Sequence, residues 1–180
     1  MATSLSLFAG FVFFLMPISA ISADDSRDEE FIQLLQSISE IVPGILGYSR
    51  WPNTSPAALK RICVIGQTDY ADLLLSTELT VPGWESNVRR LSAAHRNIVD
   101  DCQALYIGSL PDLEKENLFS LISSQPVLSI SEQNDPCIVT TLFCLRINES
   151  SVGFEINLDS VKRSGIRINP NVLRLGSRSR

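Results

Sequence analysis

Apolar residues recur along this chain in two rhythms, one helical and one of short continuous runs. Over residues 31–46, Phe31, Leu34, Leu35, Ile38, Ile41, Val42 and Ile45 fall on one side at helical spacing, which predicts an amphipathic helix. The polar stretch from Ser26 to Glu30 supplies a cap and an acidic first turn that complements the helix dipole. Pro43 and Gly44 predict a kink or an early stop, after which Tyr48-Ser49-Arg50-Trp51-Pro52 leads into a polar loop ending near Pro56.

The second rhythm begins at Arg61-Ile62-Cys63-Val64-Ile65-Gly66, a short apolar run stopped by glycine. Thr68 or Asp69 would then cap a helix through Leu75, so the segment reads as strand then helix. The cadence returns at Ala104-Leu105-Tyr106-Ile107-Gly108, with a helix over 111–123, and Pro126-Val127-Leu128-Ser129-Ile130 adds another buried strand. Past residue 135 the rhythm changes to two β-rich runs, 138–147 and 152–156, around Asn148-Glu149-Ser150, which predicts a β-hairpin. A short helix over 158–163 ends at Gly165, and 166–173 reads as extended. The fold class expected is α/β: a mostly parallel, Rossmann-like sheet flanked by helices, with an added β-hairpin and two disulfides.

Residues 5–16 form an apolar run rich in Leu, Phe and Val, followed by Pro17, small residues and Asp24-Asp25. That layout predicts a cleaved secretory signal over 1–23, with cleavage after Ala20 or Ala23 and one domain over 24–180. The run is shorter than the roughly 20 residues of a membrane helix, so no direct membrane insertion is expected of the mature chain. A net charge of −5 without clustered Lys or Arg argues against nucleic acid as a partner.

Four cysteines in an exported chain are read first as disulfides, and three pairings exist. Cys137 and Cys144 are close enough to close a small loop locally. Cys63 and Cys102 would meet if the strands that carry or follow them lie side by side, and this pairing is the one chosen. A C-x-x-C redox pair is absent, and a zinc site would lack ligands because His95 is the only histidine.

Other candidate chemistry is thin. His95 lies in a polar stretch and reads as a surface residue, and no G-x-S-x-G elbow occurs. Gly66 and Gly108 each follow a strand and could open an anion site, although neither G-x-G-x-x-G nor a P-loop is present. Asp100-Asp101 and Glu29-Glu30 are adjacent carboxylates that solvate a surface, and Arg174, Arg178 and Arg180 belong to a tail. Asn53-Thr54-Ser55 and Asn148-Glu149-Ser150 match the glycosylation pattern, which has no meaning in a bacterium lacking that pathway. No cofactor and no catalytic residue is expected.

Four blocks together carry a resemblance: Gly47-Tyr48-Ser49-Arg50-Trp51-Pro52, then Arg61-Ile62-Cys63-Val64-Ile65-Gly66, then Cys102-Gln103-Ala104-Leu105-Tyr106-Ile107-Gly108, and last Phe154-Glu155-Ile156-Asn157-Leu158-Asp159 with Arg163-Ser164-Gly165-Ile166-Arg167-Ile168-Asn169-Pro170. In order and spacing they resemble the YfiR family over 31–175. The resemblance implies a non-enzymatic periplasmic repressor that binds the periplasmic domain of an inner-membrane diguanylate cyclase, lowering cyclic di-GMP and biofilm formation. It further implies sequestration by an OmpA-like outer-membrane lipoprotein, homodimerisation, and bridges from Cys63 to Cys102 and Cys137 to Cys144, the same pairing as the spacing favours. The family's partner surface carries over onto Leu158, Val161, Ile168, Pro170 and Leu173, and a ligand motif onto Arg167. A competing reading, suggested by the α/β pattern and the strand-Gly turns, is a periplasmic carrier or sensor of a small aromatic or nucleotide-like ligand.

Overall fold

A computed structural model describes residues 23–52, 59–132, 137 and 140–176. Residues 1–22 of the expected signal, the Asn53-Thr54-Ser55 pattern, Arg178 and Arg180 lie outside the described residues. Helix α1 (Ala23–Tyr48) is longer than its apolar stripe and runs on through Pro43. Leu34, Ile38, Ile41, Val42, Ile45 and Leu46 are all buried. Each such side chain contributes about 1.5–3 kcal/mol, which together outweighs the ~3 kcal/mol cost of a proline inside a helix. Phe31, at the start of the stripe, is 44% exposed and meets the Tyr70 ring at 5.6 Å.

The main sheet holds β2 (Ile62–Ile65), β3 (Arg89–Leu91), β4 (Ala104–Ile107), β5 (Leu128–Ser131), β6 (Phe143–Asn148) and β7 (Ser151–Ile156), in the order β3-β2-β4-β5-β6-β7. The first five in that order are parallel, and β7 folds back antiparallel on β6 as the expected hairpin, with Asn148 opposite Ser151. Residues Ile62, Val64, Tyr106 and Ile130 face α1 and α2 (Asp72–Ser76). On the other face Cys63, Ile65, Leu105 and Ile107 pack with α3 (Ile98–Asp101) and α4 (Asp112–Ile122). Both faces are therefore covered, which is why the central strands read as unbroken apolar runs.

Three details depart from the expectations. The short strand β3 and helix α3 were not foreseen, because Arg89 and Arg90 are exposed and α3 is a single turn. Helix α2 begins at Asp72 with Ala71 as its cap, since the Asp69 and Tyr70 amides are engaged elsewhere. The tail is only briefly extended: β8 (Arg167–Ile168) pairs antiparallel with β1 (Ser49–Arg50), and a 3-10 helix (Pro170–Arg174) follows. The exit from β1 is anchored by Trp51, whose indole N–H donates to the Gln103 carbonyl at 3.2 Å and whose ring meets Trp84 edge-on at 5.2 Å.

Cys63 is bonded to Cys102 and Cys137 to Cys144, with Cα separations of 5.9 and 5.5 Å. The first pairing is available because Ile62 of β2 lies opposite Ala104 of β4, placing Cys102 just below β4 beside Cys63. Closing the longer loop restricts the unfolded chain more, by about 4 kcal/mol against roughly 2.4 for the shorter one. The Cys63→Ser/Cys102→Ser pair should therefore lose about 4 kcal/mol in urea unfolding, and Cys137→Ser/Cys144→Ser distinctly less. Equal losses would contradict the loop-length argument. Gly108 is a second fixed point: a Cβ there would lie 1.9 Å from the Gln67 carbonyl oxygen. Gly108→Ala should cost about 3 kcal/mol in the same measurement, as an overpacked backbone contact does.

Candidate functional site

The C-terminal elements build an apolar groove on the α1 side. Helix α5 (Leu158–Ser164) starts where the Asn157 side chain accepts the Ser160 amide at 3.0 Å, and stops at Gly165, whose φ of 71° is the left-handed helix-ending conformation. Asp159 in its first turn and Lys162 and Arg163 in its last complement the helix dipole. Beyond β8, the Asn169 side chain accepts the Asn171 amide at 2.9 Å, and Pro170 opens the 3-10 helix. The Asn169 amide donates to the Tyr48 carbonyl at 2.9 Å, continuing the β1–β8 pairing. The motif residues of this region thus set the direction of the chain at each bend.

Leu158, Val161, Ile168, Pro170 and Leu173 converge on this one groove, whose cavity measures about 440 Å³. Phe154 and Ile156 of β7 form its other wall, with buried Val172 beneath. Phe154 is held in place by an edge-on contact with Phe143 at 5.6 Å. Leu158 and Leu173 are 74% and 62% exposed, whereas Val161 and Ile168 are half-buried against the core. Leu158 therefore lies at the surface. Arg167 does not line the groove: it is exposed on the ribbon, opposite Arg50, whose guanidinium donates to the Gly47 and Ser49 carbonyls.

The two strand-end glycines serve a different purpose from an open anion site. Gly66 has φ +80°, and Gly108 comes so close to Gln67 that no side chain fits between them. Gln67 and Ser109 exchange backbone hydrogen bonds at 3.0 and 2.6 Å, bridging the loops beyond β2 and β4. Beside this bridge Glu132, directly after β5, is only 7% exposed. Its Oε1 accepts the Asp69 and Tyr70 amides at 2.5 and 2.8 Å. Its Oε2 and the Tyr106 hydroxyl are buried facing each other, with no other hydrogen-bond partner among the described residues. Sequence reading did not single out Glu132. The available signal was alternation, because Leu128, Ile130 and residue 132 share a strand face.

The remaining candidates have local partners. His95 Nε2 lies 2.6 Å from Asp101 Oδ2, at the surface. Arg61 grips Glu85 through two hydrogen bonds of 2.9 and 2.8 Å and also donates to the Asp101 carbonyl, which steadies the approach to β3; the paired guanidinium holds the Glu85 carboxyl below its ordinary value. Among the described residues there is no group of three or more His, Cys, Asp or Glu that could hold a metal ion. No described helix is long and apolar enough to cross a membrane.

Burial pushes the Glu132 carboxyl above its ordinary value, against the opposing pull of the two amides and the Tyr106 hydroxyl. A carboxyl whose folded pKa exceeds its unfolded one binds its proton more tightly in the folded state, so its contribution to stability declines as pH rises through that interval. Glu132→Gln keeps an oxygen for the two amides and cannot ionise. Its stability relative to wild type should therefore increase from about pH 4 to about pH 7. A difference that stays flat or falls over that range, in paired thermal melts, would contradict this assignment.

A model of the YfiR/HmsC-like family matches residues 36–177, a span running from the buried stripe of α1 to the end of the groove. The chain belongs to the YfiR/HmsC-like family.

Proposed function

We propose that this protein is a periplasmic negative regulator that binds the periplasmic domain of an inner-membrane diguanylate cyclase, and that the groove between β7, α5 and the 3-10 helix receives its partners. The observation that carries the reading is the convergence of Leu158, Val161, Ile168, Pro170 and Leu173 on one apolar groove with two largely exposed leucines. Apolar side chains left exposed around a concave surface suit a protein partner. Repression would lower cyclic di-GMP and biofilm formation. An OmpA-like outer-membrane lipoprotein would relieve it by occupying the regulator, and the regulator would act as a homodimer. In this reading the protein is not an enzyme. The paired disulfides suit an oxidising compartment.

The alternative of a small-ligand carrier draws less support, because the loops beyond β2 and β4 are bridged to each other. Arg167 remains the ligand-facing residue in that alternative, where it would act from the exposed ribbon rather than from the groove.

The groove reading is tested with Leu158→Asp/Leu173→Asp, chosen because both side chains are exposed and their loss leaves the core intact. Binding to the cyclase periplasmic domain should weaken by at least about 100-fold, the consequence of losing two anchors of ~1.4 kcal/mol or more each. The melting temperature should hardly move, as expected of surface substitutions. Unchanged binding by a folded variant would remove the groove from the interface. In cells, raised cyclic di-GMP at normal protein levels would place the cyclase in the groove, and permanently low cyclic di-GMP would leave it to the lipoprotein alone.

A further inference from the structure

The order β3-β2-β4-β5-β6-β7 contains one reversal of winding, between β2 and β4, because the chain goes from β2 to β3 on one side and then to β4 on the other. Open sheets wound in this way take ligands in the crevice beyond the carboxyl ends of the strands at the reversal, where backbone N–H groups can receive an anion. Glu132 reaches that place from β5, across the end of β4, to the Asp69 and Tyr70 amides beyond β2.

We propose that Glu132 is a built-in ligand: its carboxylate fills the anion position of the crevice from within, so that the crevice is a latent site for a small carboxylate. Three observations carry this. Two amides from one loop converge on a single carboxylate oxygen, in the manner of an anion site. No Lys or Arg is paired with Glu132 among the described residues, so the group is held by backbone N–H groups and the Tyr106 hydroxyl without a cation. Glu132 is only 7% exposed, and its second oxygen faces the buried Tyr106 hydroxyl, a polar interior that an apolar packing contact would not need. Leaving a buried carboxylate without a cation is costly, and it is tolerated where the backbone is already arranged to receive it. The inference is independent of the partner groove, which is built from other elements.

The test is chemical rescue in the full chain with both disulfides formed. Glu132→Ala should melt below wild type in sodium chloride, because two buried amides lose their acceptor. Sodium acetate at equal ionic strength should restore stability with saturation in the millimolar range, the ceiling expected for so small a ligand. Wild type and Glu132→Gln, which both retain an acceptor oxygen, should show no saturable response to acetate or to inorganic phosphate. If Glu132→Ala does not fold in chloride, its refolding yield in acetate against chloride becomes the measurement, with a clear gain expected in acetate. The proposal is overturned by the absence of an acetate-specific gain in Glu132→Ala, or by an equal gain in all three proteins.

Discussion

Burial of the α1 stripe is the constraint that organises the molecule. One face of this helix must be covered, and three structures share the work: the α1 side of the sheet, through Val64, Tyr106 and Ile130, helix α2, through Leu74, and the C-terminal segment, through Val172 and Leu175. Gly44 makes the last contact close, since a Cβ there would come within 2.7 Å of the Leu175 side chain. The groove is a product of this sharing. Segments that α1 draws inward leave their outer apolar residues, Leu158 and Leu173, facing solvent.

The two disulfides act on different parts of this arrangement. Cys63 and Cys102 sit in the cluster on the face away from α1, where they join the approach to β4 to the middle of β2. Cys137 and Cys144 fasten the lead-in to β6, the strand on which β7 and one wall of the groove are built. One bridge thus supports the sheet's centre, and the other lies beside the strand pair that carries one wall of the groove.

What could be read from the sequence was what depended on local pattern. The runs containing Cys63 and Tyr106 announced buried strands because both faces are covered, and Gly165 announced a helix end because its chemistry is local. Strand β3 was invisible because an edge strand with Arg89 and Arg90 outward has no apolar signature. The β1–β8 ribbon was invisible for another reason: its two-residue strands owe their existence to the packing of their neighbours. Within the groove, the five residues could be named through resemblance, but their exposure could not, since apolar residues three apart on a short helix look the same whether they face a core or solvent. Glu132 was passed over because a lone glutamate after a strand ordinarily marks a surface.

The pairing of Ser49 with Ile168 has a consequence in time as well as in space. It joins the end of the first described helix to one of the last described strands, a contact of very long sequence separation that cannot form until residue 168 has emerged from synthesis. The sheet's centre, from β2 to β5, can assemble earlier from nearer neighbours. A chain halted before β8 would therefore carry most of the sheet yet lack the floor and far wall of the groove. The groove is complete only once residues 168–173 have joined the fold.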